Sequence, residues 1–301
     1  MQKTLGNAFM KKVNMYKTGV LFVLPFLVLY VIFVLAPIAV AVFLSLTDYN
    51  LFQEPSFVGL TNYKLLFMDD DVFITAVGNT AVFAVISGPI GLIASFLFAW
   101  IINKAPASKL FSLLFYAPSL TSAIAMSVVW MYFFSADRYG LINNVLFNLG
   151  VINEPILWNT DPDTILLVII VISIWLNMGS GFMVFLAGLK NTSQELQEAG
   201  QIDGIANPLQ ELIYIILPQI RPQILFGIIN AVVNAFGVFD IALVVAGLPS
   251  PDYAGHTIVA HLYDYAFIRY EMGYAAAISV VLFLFTFGIG QVAMKLLSSK
   301  E

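Results

Sequence analysis

The chain has 301 residues, 60% of them hydrophobic and only 10% charged, and its mean hydropathy of +0.91 excludes a soluble globular protein. The formal net charge is −5, and the absence of cysteine excludes disulfides, thiolate chemistry and Cys-based metal sites.

Residues 1–17 carry four lysines and read as a cytoplasmic N-terminal segment. The uncharged run Thr18–Thr47 that follows is too long for a signal peptide and lacks a small-residue cleavage pattern, so it is expected to be a retained helix. Five more uncharged runs come in order: Val72–Asn103, Leu110–Ala136, Thr164–Leu189, Pro222–Phe239 and Met272–Met294. Each reaches about the 20 residues needed to span a bilayer core. The fifth is expected to continue past Asp240 through Ile241–Gly247, leaving one acid inside or near its outer end. The expected fold is all-α: a polytopic membrane protein with six transmembrane helices, residues 18–301 forming one transmembrane domain.

Charge sets the orientation. Ten of the 13 basic residues fall on one side (Lys3, Lys11, Lys12, Lys17, Lys104, Lys109, Lys190, Arg221, Lys295 and Lys300), and three, Lys64, Arg138 and Arg269, on the other. The positive-inside bias then makes both termini cytoplasmic. Segments Asp48–Asp71, Asp137–Asp163 and Pro249–Glu271 face outward. They are short and rich in turn residues. Tyr139–Ile152 reads as a short helix, lying either on the membrane surface or packed as an ordinary loop helix. Pro25, Pro37, Gly88–Pro89, Pro118 and Gly179/Gly181 interrupt the spans. Such breaks suit a bundle that moves or encloses a cavity, simple kinks being the alternative.

One polar stretch is cytoplasmic. Thr192 to Glu195 has capping-box spacing, predicting a helix over about 193–202. Gly200 and Gly204 end or notch it, and Asn207–Pro208 turns the chain into a second helical piece over about 209–216. The small residues Ala199, Gly200, Gly204 and Ala206 leave backbone open to close approach by another protein.

The sequence EAGQIDGIANPLQELIYIILP, Glu198–Pro218, resembles the cytoplasmic EAA loop of bacterial ABC importer permeases, here about residues 190–221. Glu198-Ala199, Asp203-Gly204 and Ile215-x-Leu217-Pro218 match its pattern in order. Gly200 stands where a second Ala is common, and Ile205 reads as an insertion. FVLPFLVLYVIFVLAPI (Phe22–Ile38), FVGLTNY (Phe57–Tyr63), YAPSLTSAIAMSVVWMYFF, IWLNMGSGFMVFLAGL (Ile174–Leu189) and FGVFDIALVVAGLP (Phe236–Pro249) extend the resemblance to the first-type permease of maltose-type and glycerol-phosphate-type importers.

The resemblance implies a bacterial cell-membrane protein that forms half of a carbohydrate path. Its implied partners are a second permease of the family, two ATPase subunits, an external sugar-binding protein and the surrounding lipid, with no nucleic acid. The chain holds no cofactor of its own; ATP and Mg fall to the ATPase, and no Walker-type phosphate loop occurs in the sequence. Glu198, Ala199, Gly200, Asp203 and Gly204 are implied to couple to the ATPase. Asn177 and Ser180 share a face of the fourth span, as do Asn230 and Asn234 on the fifth. These four fall where the family's sugar contacts lie, and Asn amides supply both donors and acceptors for hydroxyls. Interhelical hydrogen bonding is their alternative role.

Trp130 and Trp175 are candidates for stacking on a sugar ring or for packing. His256 and His261, spaced i and i+5 in an outer segment, suit a shared metal poorly and are expected to be surface residues. No metal site and no catalytic residue is expected. An ion-coupled secondary transporter would need more intramembrane acids, and a membrane enzyme a convergent set of His, Asp or Ser. A non-sugar importer substrate such as glycerol-phosphate remains open, although the spans carry no Arg or Lys to meet a phosphate.

Overall fold

The computed structural model describes residues 20–105 and 108–298; the expected cytoplasmic segment 1–17, with its four lysines, lies outside them. The first helix, α1 (Val20–Leu44), contains a π turn at Val31–Leu35 just before Pro37, whose missing N–H interrupts the regular ladder. A two-stranded antiparallel ribbon, β1 (Thr47–Asp48) and β2 (Ser56–Phe57), pairs Thr47 with Phe57. It leads to α2 (Thr61–Met68) and the long α3 (Asp71–Asn103). The third span is broken: α4 (Ser108–Tyr116), with a 3-10 turn over Ala117–Leu120, meets α5 (Ala123–Phe133) at a 100° bend. Pro118 sits in that turn.

A short loop helix, α6 (Leu141–Asn148), precedes α7 (Pro162–Lys190). On the predicted cytoplasmic side come α8 (Gln194–Ile202) and α9 (Pro208–Gln219), followed by a 77° bend into α10 (Arg221–Phe236). The chain closes with α11 (Asp240–Ala246), α12 (Ile258–Ile268) and α13 (Met272–Ser298). Among the described residues, four helices are long and apolar enough to cross a membrane, and the two bent pairs raise the number to six.

Burial sets the layers. Half of the most apolar window of α7 is buried, whereas none of that of α1 is. The central α7 packs most extensively against α3. One cluster joins Ile165, Ile169 and Ile172 of α7 to Ile241 and Val245 of α11; a second joins Phe182, Phe185 and Leu189 to Ala99 of α3 and Ile216 of α9. The starts of α3 and α7 are fixed by acids. Asp70 accepts from the Phe73 N–H at 2.8 Å to cap α3, and Asp161 accepts from Asp163 at 3.0 Å ahead of Pro162 on α7. Lys190 in the last turn of α7 complements the helix dipole.

Several sequence expectations are corrected. Gly179 and Gly181 do not break α7. A side chain at Gly179 would lie 2.7 Å from the Phe115 carbonyl, and one at Gly181 2.9 Å from Ser95 Oγ, so both exist for close helix contact. The fifth span does not run through Asp240. Helix α10 stops at Phe236, Phe239 leaves helical geometry (φ −142°, ψ −60°), and Asp240 opens α11, where the helix dipole favours an acid. The cap of α8 is Ser193, not Thr192: Ser193 Oγ accepts from Leu196 at 3.3 Å, while Thr192 Oγ1 donates back to the Leu189 carbonyl at 2.8 Å. The second cytoplasmic piece is longer than expected, running to Gln219 through a π turn at Leu212–Ile216.

Candidate functional site

Helices α3, α7 and α10 line an open cavity of about 270 Å³. All four residues singled out for substrate contact line it: Asn177 and Ser180 from α7, Asn230 and Asn234 from α10. Two of the three amides are partly spoken for. Asn177 Nδ2 donates to the Ser173 carbonyl at 2.9 Å, and Asn230 Nδ2 to the Phe226 carbonyl at 3.0 Å. An amide has two N–H groups and a carbonyl, so each retains a donor and an acceptor for a guest. Ser180 Oγ donates to the Asn177 carbonyl at 3.0 Å and keeps its lone pairs. The lining also brings in Ser87 and Ser95 of α3 and Ser173 of α7, which the sequence reading missed. Ser173 completes an i, i+4, i+7 polar stripe with Asn177 and Ser180, a signal the sequence held; Ser173 Oγ is buried without a hydrogen-bond partner. Ser87 and Ser95 give no comparable pattern. None of the lining residues is charged. Trp130 and Trp175 do not line the cavity; their rings pack on each other 5.3 Å apart within the α5–α7 core.

The bend predicted to be cytoplasmic has a different build. Glu198, Ala199, Asp203 and Gly204 are exposed, with Glu198 accepting from Gln194 Nε2 at 3.0 Å. Gly204 has φ +96°, a backbone state that favours glycine, so its role is first conformational. Gly200 is buried, and a methyl there would overlap Ile215 Cδ1. Its predicted accessibility to a partner is therefore corrected: Ile215 of α9 occupies the space that an alanine side chain would take. Apolar side chains remain on the outer face of α8, with Leu196 53% and Ile202 88% exposed.

Residues 88–297 match the family described as binding-protein-dependent transport system inner membrane component. The chain belongs to this family of ABC transporter permeases. The permease is 31% identical to the arabinooligosaccharides transport system permease AraP of Bacillus subtilis, covering 93% of this chain and 88% of that one. It is 32% identical to the lactose transport system permease LacF of Rhizobium radiobacter, covering 88% and 89%. Its fold matches a chain of the crystal structure of a bacterial alginate ABC transporter in complex with alginate pentasaccharide-bound periplasmic protein, with a TM-score of 0.81, 22% identity, and 96% and 98% coverage.

The end of the permease predicted to face outward holds a buried polar cluster where surface histidines were expected. His256 and His261 are only 2% and 1% exposed. His256 Nε2 lies 3.3 Å from His261 Nδ1, and His261 Nε2 lies 2.9 Å from Asp70 Oδ2. The same carboxylate oxygen accepts from Tyr274 OH at 2.7 Å. Desolvation would raise the Asp70 pKa, but the bonds from Tyr274 and Phe73 and the nearby His261 hold it below the usual range. Burial, reinforced by His261, holds His256 down to about 4. Burial likewise lowers His261, against the pull of Asp70. The cluster joins α2–α3 to α12 and α13 through a residue that also caps α3. Sequence spacing could not show this, because Asp70 and His261 are 191 positions apart.

The loop helix α6 turns one residue, Asn143, inward. Asn143 is fully buried; its Nδ2 donates to the carbonyls of Ser135, Asp137 and Ile156, and its Oδ1 accepts from Ile156 N–H and Trp158 Nε1–H. Asn143 thus ties α6 to the loops on either side of it, while Leu141 and Val145 of the same helix stay 42% and 49% exposed.

Proposed function

We propose that this permease is one membrane-spanning half of an ATP-driven importer of neutral oligosaccharides. The observation that carries the reading is the uncharged cavity in which Asn177, Ser180, Asn230 and Asn234 converge from two helices. A sugar entering a membrane interior loses hydrogen bonds to water, and unreplaced bonds make that transfer costly. Amide and hydroxyl groups replace them without favouring an ion. An anionic solute such as a sugar phosphate or uronate would meet no cation among these lining residues, and ion coupling would find no acid there. The names of AraP and LacF support oligosaccharide or disaccharide cargo.

In this reading a second permease of the family supplies the other half of the path, and an external binding protein delivers the sugar. Two ATPase subunits hold ATP and Mg on the cytoplasmic side, where both termini lie. Helix α8, through Glu198, Ala199, Asp203, Gly204 and the exposed Leu196 and Ile202, docks on an ATPase. Gly200 serves the same element from inside by seating it on Ile215. Closure of the ATPases then rocks the helices around the cavity, an alternating-access scheme in which nothing is chemically changed in the membrane.

The test is the complete importer in liposomes, with ATP hydrolysis read as its binding protein is offered arabinotriose, lactose, a uronate oligosaccharide or glycerol 3-phosphate. Stimulation by a neutral sugar alone is expected. Stimulation by only the anionic solutes overturns the cargo assignment, and uptake that proceeds without ATPase subunits overturns the importer reading.

A further inference from the structure

The bend between α9 and α10 turns the chain from the cytoplasmic face into the helix that carries Asn230 and Asn234. Gln219 is the last residue of α9 before that corner. Its side chain makes two directed bonds. Oε1 accepts from the Ser193 N–H at 2.8 Å, and Nε2 donates to the Ile215 carbonyl at 3.1 Å. Ser193 is the cap of α8, so one amide joins the start of that helix to the hinge 26 positions later.

The other contact between α8 and α9 is of a different kind. Gly200 lies against the tip of Ile215, an apolar surface that resists separation but sets no direction and tolerates sliding. A hydrogen bond weakens steeply when its angle departs from linear, so it fixes orientation as well as distance. Gly188, at the end of α7, also closes on Gln223 of α10, where a side chain would lie 2.9 Å from Gln223 Cγ, so the first turn of α10 is confined on its far side. A shift of the Ser193 end of α8 therefore arrives at the corner through Gln219. From there a rigid helix carries it about 14 to 20 Å, at ~1.5 Å per residue, to the two asparagines.

We propose that Gln219 is a positioning residue that locks α8 to the α9–α10 corner, so that movement of the cytoplasmic helix reaches the cavity undiminished. This rests on α8 being the element that meets the ATPase.

The test uses the assembled importer in liposomes, with nitroxide labels at Gln201→Cys on α8 and Val233→Cys on α10, both exposed positions. Their separation is measured by electron double resonance with and without ATP. With Gln219 present, one distance distribution is expected in both states, because the two helices move as a body. Gln219→Leu removes the bond to Ser193 and is expected to split or shift the distribution on ATP addition, and to lower solute moved per ATP hydrolysed by about tenfold, the scale of one lost hydrogen bond. Gln219→Glu keeps an acceptor at the start of α8, where negative charge is favoured, and is expected to retain the single distribution and a ratio within about twofold of the parent.

A Gln219→Leu importer with unchanged distances overturns the proposal. So does equal disruption by Leu and Glu, or loss of the ATPase from the Leu variant, which would place Gln219 in assembly rather than transmission. Ile202→Asp on the outer face of α8 separates the two readings. If it leaves uptake intact, the docking role of α8 itself fails; if it abolishes uptake while Gln219→Leu does not, only the role of Gln219 fails.

Discussion

Acidification should loosen the His256–His261–Asp70 end of the permease, and most of the effect should trace to one side chain. A histidine free in water titrates near 6.5, whereas burial and the neighbouring His261 hold His256 down to about 4. Between those values the unfolded chain binds a proton that the folded chain refuses, so stability must fall as pH falls. The contribution is complete above about pH 6.5 and is lost on the way down through about 4. At ~1.4 kcal/mol per unit of displacement, the loss over that window is of order 3 kcal/mol. His261 shifts in the same direction and adds to the slope. Asp264 and Asp70 nearby favour the charged imidazole of His256 and Arg269 opposes it, but burial outweighs them. Asp70, held below the usual carboxylate range, contributes its own loss only at still lower pH. The assay is the unfolding midpoint of the detergent-solubilised importer from about pH 7.5 to 4.5, for the parent and for His256→Phe. The variant should start less stable, because His261 Nδ1 loses its partner, yet fall less steeply. Parallel curves would refute the assignment of the slope to His256.

Three further outcomes are expected. Gly200→Val should displace α8 from Ile215 and lower ATP-coupled uptake, at an overpacking cost of ~1–3 kcal/mol, and adding Ile215→Ala should restore most of it in a double-mutant cycle. Asn143→Leu strands the partners of five hydrogen bonds, including Trp158 Nε1–H, and should destabilise the outer segment by roughly 2–4 kcal/mol, read as faster proteolysis between α5 and α7 with uptake falling in parallel. Asn234→Leu should raise the uptake KM by about tenfold with assembly unchanged, and an unaltered KM would remove Asn234 from the site.

Uncharged stretches exposed the spans because lipid imposes a length and a composition that no packing detail can override. The helix-faced pairs Asn177/Ser180 and Asn230/Asn234 were equally legible, since a helix repeat alone places each pair on one side, and the two pairs do meet at one cavity. What was hidden depends on contacts between distant segments. Gly179 and Gly181 look like helix breakers in a line of text and are spacers between helices once Phe115 and Ser95 stand opposite them. Gly200 looked like a surface offered to a partner, and Ile215 turned out to fill it. His256 and His261 seemed soluble because they lie in a polar loop, but Asp70 and Tyr274, brought from other helices, make burial tolerable. The end of α10 at Phe236 was missed because the apolar run continues through Val238–Phe239 while the backbone does not.

The glycines around the cavity divide into two kinds. Gly181 and Gly227 are hemmed in by Ser95 and by Leu92 and Phe185, so a side chain there must displace those neighbours. Gly88 and Gly91, on α3, have nothing within 4 Å of where a methyl would stand. The calibre of the passage can therefore be narrowed one methyl at a time from a single wall without remaking the scaffold. Gly88→Ala and Gly91→Ala would each add a methyl to one wall and leave Asn177, Asn230 and Asn234 untouched.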